Sequence, residues 1–131
     1  KSFSREQDNP INAALNYGYA ILLSTVNREI LSLGYITQLG LNHCNQFNPY
    51  NLGSDLMEPL RGFVDAVVIK LRPTEFDRSV KLSLIELLTE DVKINDTVQT
   101  FSAAIKIYCK SVFDALRTQD ANQIRFIEYE L

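Results

Sequence analysis

The 131 residues, 46% of them apolar, are enough for one sizeable buried core and too few for two ordinary domains. Thirteen basic against sixteen acidic residues leave a formal charge of −3, which excludes a protein that grips nucleic acid through bulk positive charge and leaves only a local patch for such contact. No apolar run approaches the roughly 20 residues of a membrane-spanning helix, the start KSFSREQDNP has no signal core, and Cys44 and Cys109 form no CxxC pair, so the expectation is a cytoplasmic protein with free thiols and no membrane contact.

The chain opens on Lys1 rather than Met, with a short polar stretch ahead of the first periodic segment, the mark of a fragment. From Pro10 to Leu33, Ile11, Leu15, Tyr19, Leu22, Val26, Ile30 and Leu33 recur every three or four positions, which predicts a long amphipathic helix. Asp8 or Asn9 suits its cap, Pro10 its first position and Gly34 its stop. Tyr35 to Gly40 suits a short second helix, and LNHCNQFNPYNLGS, rich in asparagine, reads as a polar loop.

The next helix is expected to begin between Asn51 and Ser54 and run to about Lys70, burying Leu56, Leu60, Phe63, Val64 and Val67. Pro59 lies inside it and cannot donate to the carbonyl of Asp55, so the helix starts close by or bends there. Ser79 to Leu88 predicts a short helix, TEDVKIND a polar connector. Asp96 and Gln99, at capping-box spacing, introduce a last long helix with Val98, Phe101, Ile105, Tyr108, Val112 and Leu116 inward. IRFIEYEL suits either a final helical turn or an extended tail. The fold class is therefore all-α, a single helical domain of about five helices.

The candidate chemistry centres on His43, the only histidine, just ahead of a helix that carries Asp55 and Glu58 at i and i+3 on one face. Carboxylates beside an imidazole suit a hard divalent cation such as Mg2+ or Mn2+. Two acidic residues near a helix N-terminus equally suit the helix dipole, and spacing alone does not choose between these readings. Zinc is disfavoured, since one histidine and two distant cysteines fall short of four nitrogen or sulfur ligands. No Walker loop, GxGxxG or Ser-His-Asp arrangement stands out.

The runs NPINAALNYGYAILL and LGLNHCNQFNPYNLGSDLMEPLRGFVD resemble the CRISPR-associated integrase family, most nearly the branch that accompanies type II systems, over the chain from about Phe3 to the end. The resemblance implies that residues 1–131 are the C-terminal helical catalytic domain of a metal-dependent DNA endonuclease and integrase, which inserts spacer DNA by 3′-hydroxyl transesterification. It implies that His43 and Glu58 bind the metal, Mg2+ or Mn2+, and that Asp55 has an auxiliary catalytic role. The family's further glutamate lies in an EGxxA motif that these residues lack, so the isolated chain is expected to be impaired.

The partners it implies are double-stranded DNA (a prespacer and the CRISPR repeat), a second copy in a homodimer and the smaller adaptation protein. Arg61, Asn42, Asn45, Gln46 and Asn48 are candidate phosphate contacts, although the asparagines equally suit turns and Arg61 equally suits an ion pair with Glu58. The competing readings are a non-catalytic all-α interaction module and a metal-free DNA-binding domain, for which no basic helix is found.

Overall fold

A computed structural model describes residues 9–33 and 49–128. Helix α1 spans Pro10–Ser32, with Pro10 at its first position. The Asn9 side chain caps it, accepting from the amides of Ile11 at 2.9 Å and Asn12 at 3.3 Å. Its inward face is the i, i+4 row Ala14, Gly18, Leu22 and Val26, with Thr25 beside it, and the Thr25 hydroxyl returns to the Ile21 carbonyl at 2.8 Å. Ile11, expected on that face, is 46% exposed because it precedes the first packed turn. Gly34, the expected stop, and Tyr35 to Gly40 lie outside the described residues.

Helix α2, Pro49–Met57, begins slightly before the expected Asn51–Ser54 window; proline is well placed in a first turn, where its missing amide has no helical partner. A 3-10 turn, Glu58–Leu60, separates it from α3, Arg61–Leu71, which stops at Arg72 in left-handed backbone with φ 44°. The expected bend at Pro59 is thus a change of helix type. Helix α4, Arg78–Glu86, is capped by Asp77, whose carboxylate accepts from the Val80 amide at 3.1 Å. A 3-10 turn, Leu87–Thr89, ends it.

The all-α expectation requires correction: the chain is mainly helical and carries a small antiparallel sheet in strand order β2-β1-β3. The segment read as a polar connector is strand β1, Asp91–Ile94, which pairs with β2, Thr97–Thr100, from Asp91 opposite Thr100 to Ile94 opposite Thr97. Val92 and Ile94 are buried while Asp91 and Lys93 are exposed, a period of two within only four residues. Asn95 and Asp96 form the turn with φ of 55° and 63°, the paired left-handed geometry of tight hairpins that both side chains tolerate.

Asp96 therefore does not cap the last helix. That helix, α5, is Phe101–Thr118, and Thr100 caps it by accepting from the Ala103 amide at 3.2 Å. Val98, expected inside the helix, is an exposed strand residue. Residues 124–128, the described part of the tail, are extended rather than helical: β3, Ile127–Glu128, pairs with β1 at Ile94 and Lys93.

Helices α2, α3, α4 and α5 all pack against α1, around a core of Leu22, Leu60, Val64, Leu84, Phe101 and Ile105. The Phe63 and Phe101 rings lie 4.6 Å apart within it. Gly18 lets α1 approach α3 closely, since a Cβ there would stand 2.5 Å from a Val64 methyl and 3.3 Å from Leu84. Gly53 does the same for α2, where a Cβ would meet the Asn27 side chain. Among the described residues, no helix is long and apolar enough to cross a membrane.

Candidate metal and nucleic-acid site

Pro59 sets the local shape: it has no amide to continue the α2 ladder, and the chain tightens into the 3-10 turn at Glu58. Leu56, Met57 and Leu60 are each no more than 4% exposed, so burial pulls one side of the turn into the core. Asp55 and Glu58 are consequently left on the solvent side. From the opposite side the buried Tyr108 of α5 donates its hydroxyl to the Leu56 carbonyl at 2.8 Å. That bond holds the backbone between the two carboxylates against the core.

Glu58 faces Arg61, with Oε1 3.5 Å from the guanidinium Nε, both side chains being substantially exposed. Arg61 also lies over the Tyr19 ring of α1, its guanidinium carbon 4.8 Å from the centroid. The Tyr19 hydroxyl in turn donates a short hydrogen bond to Asp65 Oδ1 on α3. That bond, followed by partial burial, raises the Tyr19 hydroxyl above the ordinary tyrosine range. Of the two readings of Arg61, the ion pair with Glu58 is present, and the side chain remains open to solvent.

His43, Asn42, Asn45, Gln46 and Asn48 lie outside the described residues, as does Cys44. Among the described residues no three of histidine, cysteine, aspartate or glutamate form a metal-holding group. The carboxylates of Asp55 and Glu58 are hard oxygen donors in water's reach, suited to Mg2+ or Mn2+ and unsuited to a closed structural zinc site. Cys109 is fully buried, and burial, then the charge of Glu29, pushes its thiol up to about 12, so it is an apolar filler with no nucleophilic thiolate at neutral pH.

The sequence reading missed Tyr19, Asp65 and Tyr108 as parts of this site. Tyr19 and Tyr108 sit at helical core spacing, where the ring explains the residue and the hydroxyl gives no further signal. Asp65 stands one helical turn beyond Arg61 and two beyond Glu58, the one pattern that pointed to it.

The described residues thus form a mainly helical domain with exposed carboxylates on a proline-broken turn and an arginine beside them. The comparisons name the family. The family model described as "CRISPR associated protein Cas1" matches residues 3–80, more than half of the chain, and the chain belongs to that family.

Among its relatives, a "CRISPR-associated endonuclease Cas1" of Neisseria meningitidis serogroup C (strain 8013) is 34% identical over 98% of this chain and 44% of its own length. A "CRISPR-associated endonuclease Cas1 2" of Pyrobaculum aerophilum is 33% identical over 87% of this chain and 40% of its own. A "CRISPR-associated endonuclease Cas1 1" of Francisella tularensis subsp. novicida is 45% identical over 47% of this chain and 20% of its own. The chain spans less than half the length of each.

Proposed function

We propose that this chain is the helical catalytic part of a divalent-metal-dependent DNA endonuclease and integrase that inserts spacer DNA into a CRISPR array. One observation carries the reading: the family match over residues 3–80 includes His43, Asp55, Glu58 and Arg61, and the last three stand exposed on and beside one broken helical turn. His43 and Glu58 would hold Mg2+ or Mn2+, with an imidazole and a carboxylate as donors. When bound, the cation supplies polarisation of the phosphoryl oxygens and neutralisation of their charge.

The chain's own residues do the rest. The 3′-hydroxyl of a captured DNA fragment attacks a phosphodiester at the repeat boundary, a new phosphorus–oxygen bond forms, and the bond to the leaving 3′-oxygen breaks. Asp55, one turn before Glu58, orients a water or takes the proton of the attacking hydroxyl, and the leaving 3′-oxygen is protonated from solvent. Arg61 contacts a backbone phosphate, and Asn42, Asn45 and Gln46 add neutral donors, so that binding is by position rather than by net charge. A homodimer and the smaller CRISPR adaptation protein complete the assembly on double-stranded DNA.

Because the family's further glutamate belongs to an EGxxA motif that the 131 residues lack, the test uses the full-length protein. In Mn2+, joining of a labelled duplex to a repeat-containing plasmid should fall by about 100-fold or more in Glu58→Gln, the scale of a lost metal-ligand or charge-stabilising contact. Duplex binding without metal should survive. Undiminished joining in Glu58→Gln would remove Glu58 from the site, and absence of metal-dependent joining in the unaltered protein would favour an interaction module.

A further inference from the structure

Arg61 and Asp65 stand at i and i+4 on α3, the spacing at which opposite charges on a helix ordinarily pair. They do not pair here. Asp65 Oδ1 is taken by the Tyr19 hydroxyl, and Arg61 is turned to the Tyr19 ring at 4.8 Å and to Glu58 at 3.5 Å. One tyrosine on a different helix thus acts twice: its hydroxyl engages Oδ1 of the carboxylate that could draw Arg61 along α3, and its face offers the guanidinium a seat on the Glu58 side.

The seat matters because an arginine side chain has several rotatable bonds and its partner Glu58 is itself exposed. An exposed ion pair alone fixes such a side chain weakly. When Glu58 turns to a cation, Arg61 loses that counter-ion, yet the Tyr19 ring still holds the guanidinium beside the turn with its N–H donors available. A guanidinium in that state is prepared for a phosphate oxygen.

We infer that Tyr19, together with Asp65, is a positioning residue that holds Arg61 beside Glu58 for a DNA backbone phosphate. The inference rests on the proposed phosphate contact of Arg61 and goes beyond it in naming what keeps that arginine in place. An α1–α3 staple with no bearing on DNA is the plain alternative, since the same hydrogen bond joins the two helices.

The test measures affinity of the full-length protein for a 30-base-pair duplex across a salt series in Ca2+, with thermal melting of each variant recorded alongside. Arg61→Ala should lower affinity about five-fold near 0.15 M salt and flatten the salt slope by about 0.9, the loss of one phosphate contact. Tyr19→Phe keeps the ring and frees Asp65, so it should lower affinity about three-fold, a part of the same loss. Adding Asp65→Asn to Tyr19→Phe removes the competing charge and should restore affinity, and Tyr19→Phe should add nothing in the Arg61→Ala background.

Restoration in the double variant supports the inference, because a lost staple is not mended by a second loss. Equal costs of Tyr19→Phe with and without Arg61, or no cost in either, overturn it while leaving the Arg61 contact intact. An unchanged slope in Arg61→Ala overturns the phosphate contact itself, and the inference with it.

Discussion

The hydroxyl of Tyr108, buried in α5, donates to the Leu56 carbonyl at 2.8 Å, one residue before the helix changes type and two before Glu58. It connects the last long helix of the chain to the turn that carries the candidate ligands. Tyr108→Phe removes the donor and leaves a carbonyl in a dry environment, which costs about 1–3 kcal/mol. Urea unfolding should show the midpoint falling with the slope unchanged.

The same tyrosine and its neighbour make the fold sensitive to alkali. Burial, then the charge of Cys109, pushes Tyr108 up to about 12, and burial, then Glu29, pushes Cys109 up to about 12. In the unfolded chain these groups lose their protons near about 10 and about 8.5. Across that window the native state therefore binds more protons than the unfolded state, and stability falls as pH rises from about 8.5 to about 12. Denaturant midpoints along a pH series should decline over this range, and Tyr108→Phe should show a shallower decline above about pH 10.

Gly18 sets the distance between α1 and α3. Gly18→Ala brings a helix-propensity gain of about 1 kcal/mol. Against it stands a methyl placed 2.5 Å from a Val64 side chain whose β-branch has little freedom to move. Overpacking of this kind costs about 1–3 kcal/mol, so the net effect is a lower melting temperature. Calorimetry checks the sign, and an increase would mean that the two helices part without cost.

Thr100 ends β2 and caps α5 in one residue. Thr100→Ala should cost about 1 kcal/mol through the exposed Ala103 amide, whereas Asp96→Ala should leave the α5 N-terminus undisturbed. Amide hydrogen exchange at residues 101–104 separates the two, with faster exchange in the Thr100 variant alone.

The helices were legible because their faces are long: the α1 row from Ala14 to Val26 and the α5 row from Phe101 to Phe113 repeat the helical period several times. The sheet was not, because Val92 and Ile94 give only one full cycle of alternation and lie among residues common in connectors. Asn95 and Asp96 were the one local signal, and Asp96 three positions before Gln99 imitates a helix start. Pairing with β3, more than thirty residues away in sequence, is a tertiary decision that no local pattern announces.

At the site, the i and i+3 spacing of Asp55 and Glu58 is a local relation that the sequence displays directly, and both residues are exposed. The Tyr19–Asp65 and Tyr108–Leu56 bonds join residues 46 and 52 positions apart, and the ring packing of Tyr108 in the core and of Tyr19 against it conceals their hydroxyls.

In the proposed site His43 and Glu58 hold one divalent cation. His43 is the only histidine, so its ring gives a single set of imidazole signals in the 131-residue chain. Titration with Mn2+ should broaden those signals selectively at concentrations that leave the surface carboxylates Glu86 and Glu128 unaffected, and Glu58→Gln should abolish the selectivity. Equal broadening in both proteins, or none at the ring in either, would mean that the two residues do not share a cation.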